Sequence, residues 1–361
     1  MELTAGALDR IAQQIFTAAG STPGEAATVA RRLVEANLCG HDSHGVIRVH
    51  QYVTLIQEGR LVPNQHAELV REAGAVAVMD GRRGFGQIVA ADAMEVAIAR
   101  AREHGIALVT LRNASHVGRL ADWVLMAAEA GQAAIVFCNG ALHRPIVAPF
   151  GGAEARGSTN PIAIALPVEG GEPLMLDFAT SAIAEGKVRV ASHKGVEVPE
   201  DCLIDAAGQA TRDPNVLYGE PQGALLPFGG MVAGHKGGGL WLMCDLLAGG
   251  LSGGRCAGSY DPERPDFANN MIAIAMAPSL FAEPGMAAEI RHATDYVKSS
   301  RPRSADGRVL LPGEPERRSR ARRLAEGIPV PETTFAQLME AGELVGLRRA
   351  ELEAIARDGG T

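Results

Sequence analysis

Apolar residues recur at helical spacing through residues 6–39, with one break at Gly20-Ser21-Thr22-Pro23. This predicts two amphipathic helices. Ser21 or Thr22 can cap the second, with Pro23 in its first turn and Glu25 near its positive end. The polar stretch Gly40-His41-Asp42-Ser43-His44-Gly45 then interrupts, and a third helical pattern runs over about 47–57. After Pro63 the apolar runs shorten. Those at 76–79, 106–111, 135–138, 162–167, 174–178 and 272–277 read as strands. Helical stretches near 87–103, 119–130 and 237–250 alternate with them, and the chain returns to helix from about 284. The expected class is α/β, with helical N- and C-terminal segments.

Two of the strands alternate large and small residues, Ile-Ala-Ile-Ala-Leu at 162–166 and Ile-Ala-Ile-Ala-Met at 272–276. One face of such a strand carries bulk, and the other lets a helix or a ligand approach closely. A basic run, Arg317-Arg318-Ser319-Arg320-Ala321-Arg322-Arg323, lies between Glu314, Glu316 and Glu326, which suits a solvated helix face better than a nucleic-acid arm. No internal repeat at a fixed period is evident.

Composition narrows the class of function. Glycine supplies 43 of 361 residues, about 12% against roughly 7% in average proteins, without a G-X-Y period. The excess points to tight turns and close backbone approaches. Aromatic residues are only 4%, too few for base-stacking platforms. A net charge of −8 offers no general attraction for nucleic acid or anionic membranes. Five dispersed cysteines without a C-x-x-C spacing suit a reducing compartment. Met1-Glu2-Leu3-Thr4 has neither the charge nor the apolar stretch of an export signal. The apolar runs fall far short of the ~20 residues of a transmembrane helix. The expectation is a soluble cytoplasmic protein.

The usual nucleotide fingerprints are missing. Gly84-Phe85-Gly86 opens a G-x-G-x-x-G, but its sixth position is Val89, and Lys236 follows His235 rather than glycine. Four glycine-punctuated clusters carry the candidate chemistry instead. His41-Asp42-Ser43-His44 stands at a helix entrance, where backbone amides are free, although Asp42 or Ser43 could serve there as a simple cap. Asn113-Ala114-Ser115-His116-Val117-Gly118-Arg119 follows a strand and precedes a helix, the usual place for a ligand in α/β proteins. Gly157-Ser158-Thr159-Asn160-Pro161 leads toward the strand ending in Asp177-Phe178-Ala179-Thr180-Ser181. Gly234-His235-Lys236-Gly237-Gly238-Gly239 is expected to open a helix, its amides and Lys236 facing a phosphate. No metal site is expected, because His41 and His44 lack a spacing such as H-E-x-x-H. A serine triad of Ser43, His44 and Asp177 is disfavoured, because neighbouring Ser and His side chains rarely face each other and no G-x-S-x-G elbow exists.

Across nearly the whole chain these clusters resemble the malate/L-lactate dehydrogenase family of non-Rossmann oxidoreductases. The carriers are Ala36-Asn37-Leu38, Gly40-His41-Asp42-Ser43-His44-Gly45, Ser115-His116-Val117-Gly118-Arg119, Ala148-Pro149-Phe150-Gly151-Gly152, Thr159-Asn160-Pro161, Leu176-Asp177-Phe178-Ala179-Thr180-Ser181 and His235-Lys236-Gly237. The stretch 179–205, with Leu251-Ser252-Gly253-Gly254 and Leu310-Leu311-Pro312-Gly313-Glu314, is most similar to a hydroxycarboxylate dehydrogenase subgroup. The resemblance implies an α/β subunit with a mostly antiparallel sheet, acting as a homodimer. Residues 1–65 would be the helical part of a substrate and dimer domain. Residues 66–300 would form the α/β core, with the cofactor domain at about 110–265, and residues 301–361 would return to the first domain.

The implied activity is hydride transfer between a nicotinamide cofactor, NAD or alternatively NADP, and a 2-oxo/2-hydroxy acid. Cyclic-imine reduction and ureidoglycolate oxidation are alternatives on the same scaffold, and a non-catalytic nucleotide-binding protein is a remoter one. Implied cofactor contacts are His44, Gly118, Arg119, Leu120, Met175, Leu176, Asp177, Phe178, Ala179, His235 with Lys236, Asn269, and the loop Gly313-Glu314-Pro315-Glu316. Arg48 would hold the substrate carboxylate. Either His116 or a relay of Ser43, His44 and Asp177 would be the acid/base. His116, presented between a strand and Gly118, is the favoured proton donor.

Overall fold

The computed structural model describes residues 1–141, 144–259, 268–281, 285–304 and 307–357. Strand β1 (Glu2–Leu3) precedes helices α1 (Ala5–Ala18), α2 (Pro23–Leu38) and α3 (Arg48–Gln57). Thr4 caps α1 by accepting from the Ala7 amide, and Thr22 caps α2 by accepting from Glu25, with Pro23 at the first turn as expected. The central sheet comprises β2 (Glu68–Ala73), β3 (Val76–Asp80), β4 (Ile106–Ala114), β5 (Ala133–Ala141), β6 (Ile162–Leu166) and β7 (Leu174–Phe178), joined late in the chain by β11 (Ala268–Met276). Between them run α4 (Gly86–His104), α5 (Ala121–Glu129), α6 (Glu185–Lys194) and α7 (Gly230–Asp245). A small sheet of β8 (Leu203–Ile204), β9 (Ala210–Thr211) and β10 (Ala224–Leu225) lies beside α6, and α8 (Met286–Lys298) follows β11.

The seven strands lie in the order β2-β3-β4-β11-β5-β6-β7. Only β3 and β4 are parallel; every other neighbouring pair is antiparallel, in agreement with the sequence expectation. Strand β11 wedges into the middle, Met271 opposing Leu111 on one side and Cys138 on the other. The alternation of large and small residues explains the layering. Ala107, Val109, Ala134, Val136, Ala163, Ala165, Ala273 and Ala275 face a common core with α4 and α5. Their small side chains let those helices sit close to the sheet. The bulky face is left partly open, with Ile164 and Leu176 exposed.

After α8 come α9 (Glu314–Glu326), β12 (Ile328–Pro329), α10 (Glu332–Leu344) and α11 (Arg349–Arg357). Strand β12 pairs antiparallel with β1, and Leu338, Met339, Ala341 and Leu352 share one core with Leu8, Ile11, Phe16 and Tyr52. The two ends of the chain therefore pack together. The domain limit expected near 265 lies outside the described residues.

One expectation fails. The segment Gly234–Gly239 does not open a helix; it lies inside α7, which begins at Gly230. Only the first four amides of a helix lack an internal partner, so those of residues 234–239 are not offered to a phosphate. Packing explains the glycines instead. A Cβ on Gly237 would sit 2.1 Å from the Phe228 carbonyl oxygen, and Gly234 and Gly238 press against Phe150. Each glycine costs a helix about 1 kcal/mol relative to alanine, which the close seating of α7 offsets. Strand β2 went unread because its six residues are all exposed and carry no buried alternation.

Candidate active site

The site grows from the break after α2. Asp42–His44 form a single 3-10 turn. Buried Asn37 fixes it from both ends of its amide: Nδ2 donates to Asp42 Oδ1 at 2.7 Å, and Oδ1 accepts from the Val46 amide at 2.8 Å. Gly45 is required there, since a Cβ would lie 2.1 Å from Asn37 Oδ1. From α9, Arg323 forks onto both Asp42 oxygens at 2.6 and 3.0 Å and donates to the Asn37 carbonyl. The last residue of the basic run is thus a buried clamp, while Arg320 pairs with Glu35 and Arg317 donates to the Pro173 carbonyl. The expected solvated face holds only for part of the run.

On this turn Ser43 Oγ lies 2.9 Å from His44 Nδ1, so the adjacent side chains do face each other, contrary to expectation. The tight 3-10 geometry makes this contact available. Arg48, in the first turn of α3, donates Nε–H to the Ser43 carbonyl at 2.6 Å and Nη1–H to Gln51 at 2.8 Å. His116 follows β4. Its loop is held by Asn269, whose Oδ1 accepts from the Val117 amide at 3.0 Å and whose Nδ2 donates to the Asn139 carbonyl at 3.0 Å. Gly86 abuts the same loop: a Cβ there would meet the His116 carbonyl oxygen at 2.2 Å. Gly118 takes φ +73°, a conformation glycine adopts without strain.

These elements bring the two imidazoles together. The rings of His44 and His116 stack at 5.3 Å between centroids, with an interplanar angle of 23°. Tyr52 Oη, one helical turn beyond Arg48, lies 2.7 Å from His116 Nδ1 and accepts from Gln87 Nε2 at 2.9 Å. Burial, with the Arg48 cation next in importance, holds the His44 imidazolium down to about 3 and that of His116 well below its ordinary range. Burial raises the Tyr52 phenol to about 12.

Asp177 reaches the site from the end of β7, but its Oδ2 accepts from the Ala121 amide at 2.8 Å, at the start of α5. Burial raises its pKa, against the pull of His41 and Arg119. The bond to Ala121 gives Asp177 a capping task, and the hydrogen-bonded pair Ser43–His44 stands without it. Arg119 is buried and donates to Asp122, so its guanidinium is engaged within the protein. Leu120 and Met175 belong to the core, whereas Leu176 is exposed and Phe178 packs on Phe228 at 5.9 Å. Ala179 follows directly on β7.

The start of α9 closes one side. The Met175 amide donates to the Pro312 carbonyl at 3.4 Å, Gly313 abuts the Met175 nitrogen, and Glu316 lies 3.6 Å from His41. Pro315 stands in the first turn between Glu314, paired with Lys298, and Glu316. His235 and Lys236 lie on the exposed side of α7, with His235 edge-on to Phe150 at 5.7 Å. Sequence reading missed Tyr52, Gln87, Asn37 and Arg323 as parts of this cluster. The spacing of Tyr52, four residues after Arg48 on one helix face, was the available signal. No group of three or more His, Cys, Asp or Glu suited to a metal ion occurs among the described residues.

The arrangement joins two stacked imidazoles, a hydroxyl and a guanidinium, a set suited to a small substrate carrying a carboxylate beside a carbonyl or hydroxyl group. A family model described as malate/L-lactate dehydrogenase matches residues 3–339. The chain belongs to the malate/L-lactate dehydrogenase family. It is an oxidoreductase of the hydroxyacid dehydrogenase type. Hydroxycarboxylate dehydrogenase B of Escherichia coli strain K12 is 42% identical over 344 residues, covering 95% of this chain and 94% of that protein. L-lactate dehydrogenase of Cupriavidus necator is 39% identical over 326 residues, covering 89% and 91%. A solved structure from Escherichia coli, provisionally described as a malate/lactate dehydrogenase, superposes with a TM-score of 0.93 at 40% identity and covers 100% of both chains. The malate/L-lactate dehydrogenase fold thus extends over the entire molecule.

Proposed function

We propose that the protein is a nicotinamide-dependent dehydrogenase that interconverts 2-oxo and 2-hydroxy carboxylic acids, using NAD, with NADP as the alternative. The observation that carries this reading is the His44–His116 stack directly beside Arg48. The chemistry of the pocket fits such a ligand pair. The Ser115 hydroxyl, next to His116, is buried without a partner among the described residues, and Gly118 leaves its loop free of a side chain. Gly118, the Leu176–Phe178 end of β7 and Gly313 would contribute backbone to the cofactor.

When bound, the reduced cofactor supplies hydride to the keto carbon. Arg48 fixes the substrate carboxylate through its guanidinium, so that the carbon is held in one orientation. His116 gives its Nε2 proton to the oxygen as charge develops there, and takes it back in the oxidative direction. Ser43 and His44 orient the bound groups from the facing ring. Burial and Arg48 hold the His116 imidazolium well below its ordinary range. A carboxylate paired with Arg48 removes part of that repulsion, so substrate binding favours proton uptake by the imidazole.

The five free thiols support a cytoplasmic setting. Among the described residues no helix is long and apolar enough to cross a membrane. A homodimer would cover the exposed apolar residues Val232, Leu242 and Met243 of α7. Turnover of a panel of 2-oxo acids and cyclic imines with NADH and NADPH tests the reading. Reduction of 2-oxo acids is the expected result; turnover confined to cyclic imines would reject it.

A further inference from the structure

Arg48 takes the substrate carboxylate in the reading above, and both of its own bonds go to neutral groups, the Ser43 carbonyl and Gln51. A guanidinium in that state attracts any carboxylate within reach. Helix α6 brings one. Its first turn presses on the 3-10 turn: a Cβ on Gly186 would lie 2.5 Å from Ser43 Cβ and 3.5 Å from Ser43 Oγ. Glu185 immediately precedes Gly186, and its side chain is only 17% exposed. Its charge acts on Arg48, supporting the cation, whereas the charge of Arg189 opposes it. A carboxylate so placed is a rival for that of the substrate.

Glu185 is turned away from this rivalry. Its Oε1 accepts from Arg189 Nε at 3.1 Å and Nη2 at 2.7 Å, one helical turn on, and from Tyr218 Oη at 3.0 Å. Tyr218 closes the 3-10 turn Pro214–Leu217, which is tied to α6 by Ser192 Oγ donating to Asn215 Oδ1 at 2.8 Å. An acid in a first turn suits the helix dipole, and a Glu–Arg pair four residues apart supports a helix. Neither role calls for the tyrosine, which comes from another element and gives the same oxygen a third donor.

We propose that Arg189 and Tyr218 are positioning residues that hold Glu185 off Arg48 and so keep the guanidinium open to the substrate carboxylate. Released, Glu185 pairs with Arg48 and competes with the substrate. The inference rests on Arg48 being the carboxylate-binding residue of a 2-oxo acid dehydrogenase.

The test is a double-mutant cycle on the full chain at saturating cofactor, with the 2-oxo acid of the panel that the parent reduces fastest. KM and kcat are measured together with the inhibition constant of oxamate, which carries the same carboxylate but accepts no hydride. Arg189→Ala should raise KM and the oxamate constant about fivefold, the worth of a partly exposed ion pair, with kcat within about twofold of the parent. Tyr218→Phe should shift both constants in the same direction by less, and it carries the test if Arg189→Ala does not fold. Glu185→Gln alone should not raise KM, and Glu185→Gln combined with Arg189→Ala should return KM to within about twofold of the parent. A purely structural ion pair gives no such rescue, since the double variant lacks the pair altogether. KM unchanged in the folded Arg189→Ala and Tyr218→Phe variants, or raised equally with and without Glu185, overturns the proposal. Arg48→Gln separates the levels. If it binds oxamate and turns over substrate as the parent does, the reading of Arg48 falls and the inference with it; if it weakens both while the α6 variants are silent, only the inference falls.

Discussion

At the residue scale, His44 and His116 stack on one another in unequal surroundings. His44 shares its Nδ1 with Ser43, on a turn whose carbonyl is tied to Arg48, whereas His116 is backed by Tyr52. The backed imidazole suits proton transfer, and the turn-borne one suits orientation. Loss of a general acid typically costs ~10²–10⁴ in rate. His116→Gln should therefore depress kcat by that range while NADH titration still shows binding. His44→Gln should weaken NADH affinity as well. The reverse pattern, with kcat near normal in His116→Gln and lost in His44→Gln at full NADH affinity, would assign the proton to the Ser43–His44 pair. Both histidines were legible from glycine-bounded loops beside predicted elements. Tyr52 and Gln87 were not, because they lie within helices whose apolar periodicity hides a polar inward position until the neighbours are known.

At the element scale, the 3-10 turn of Asp42–His44 is held by a helix nearly three hundred residues away. Arg323, almost fully buried, forks onto Asp42, while the neighbouring Arg320–Glu35 pair is largely exposed. Exposed ion pairs contribute about 0–1 kcal/mol, and bidentate, partly buried ones contribute more. Arg323→Gln should lower kcat/KM about tenfold by releasing the Ser43–His44 turn, a cost of the order expected when a positioning contact near the chemistry is lost. Arg320→Ala should leave activity unchanged. Equal effects of the two variants would show that α9 contributes only general stability. The sequence pattern correctly located α9 and the basic run but could not separate Arg323 from its exposed neighbours, since a run of arginines has no internal mark of which one turns inward. The same limit applies to α7, where glycine spacing that suggests a phosphate loop instead records the approach of Phe150 and Phe228.

At the scale of the whole molecule, the chain exposes more surface than a monomer of its mass should. A folded monomer of 37.7 kDa is expected to present about 13,800 Å², whereas this chain presents 17003 Å². The excess, about 3,000 Å² per chain, would amount to about 6,000 Å² across two chains, at the large end of what obligate dimers bury. It is also apolar in the right places. Helix α7 and the residue that caps it carry an outward row of Val232, Leu242, Met243 and Leu246, Val232 being 84% exposed, and Gly239 within that row lets another backbone approach. Helix α8 has no buried residue, with Tyr296 76% exposed, and the bulky sheet face leaves Ile164 and Leu176 uncovered. A second copy of the chain, presenting the same apolar patches, would cover them symmetrically. Sedimentation at assay concentration should therefore give twice the chain mass. A pair of charges on the α7 row, Met243→Glu with Leu246→Glu, should drive dissociation and expose apolar surface to a dye such as ANS. An active, monodisperse monomer of the parent chain at assay concentration would refute the dimer, and would leave this surface for a different partner.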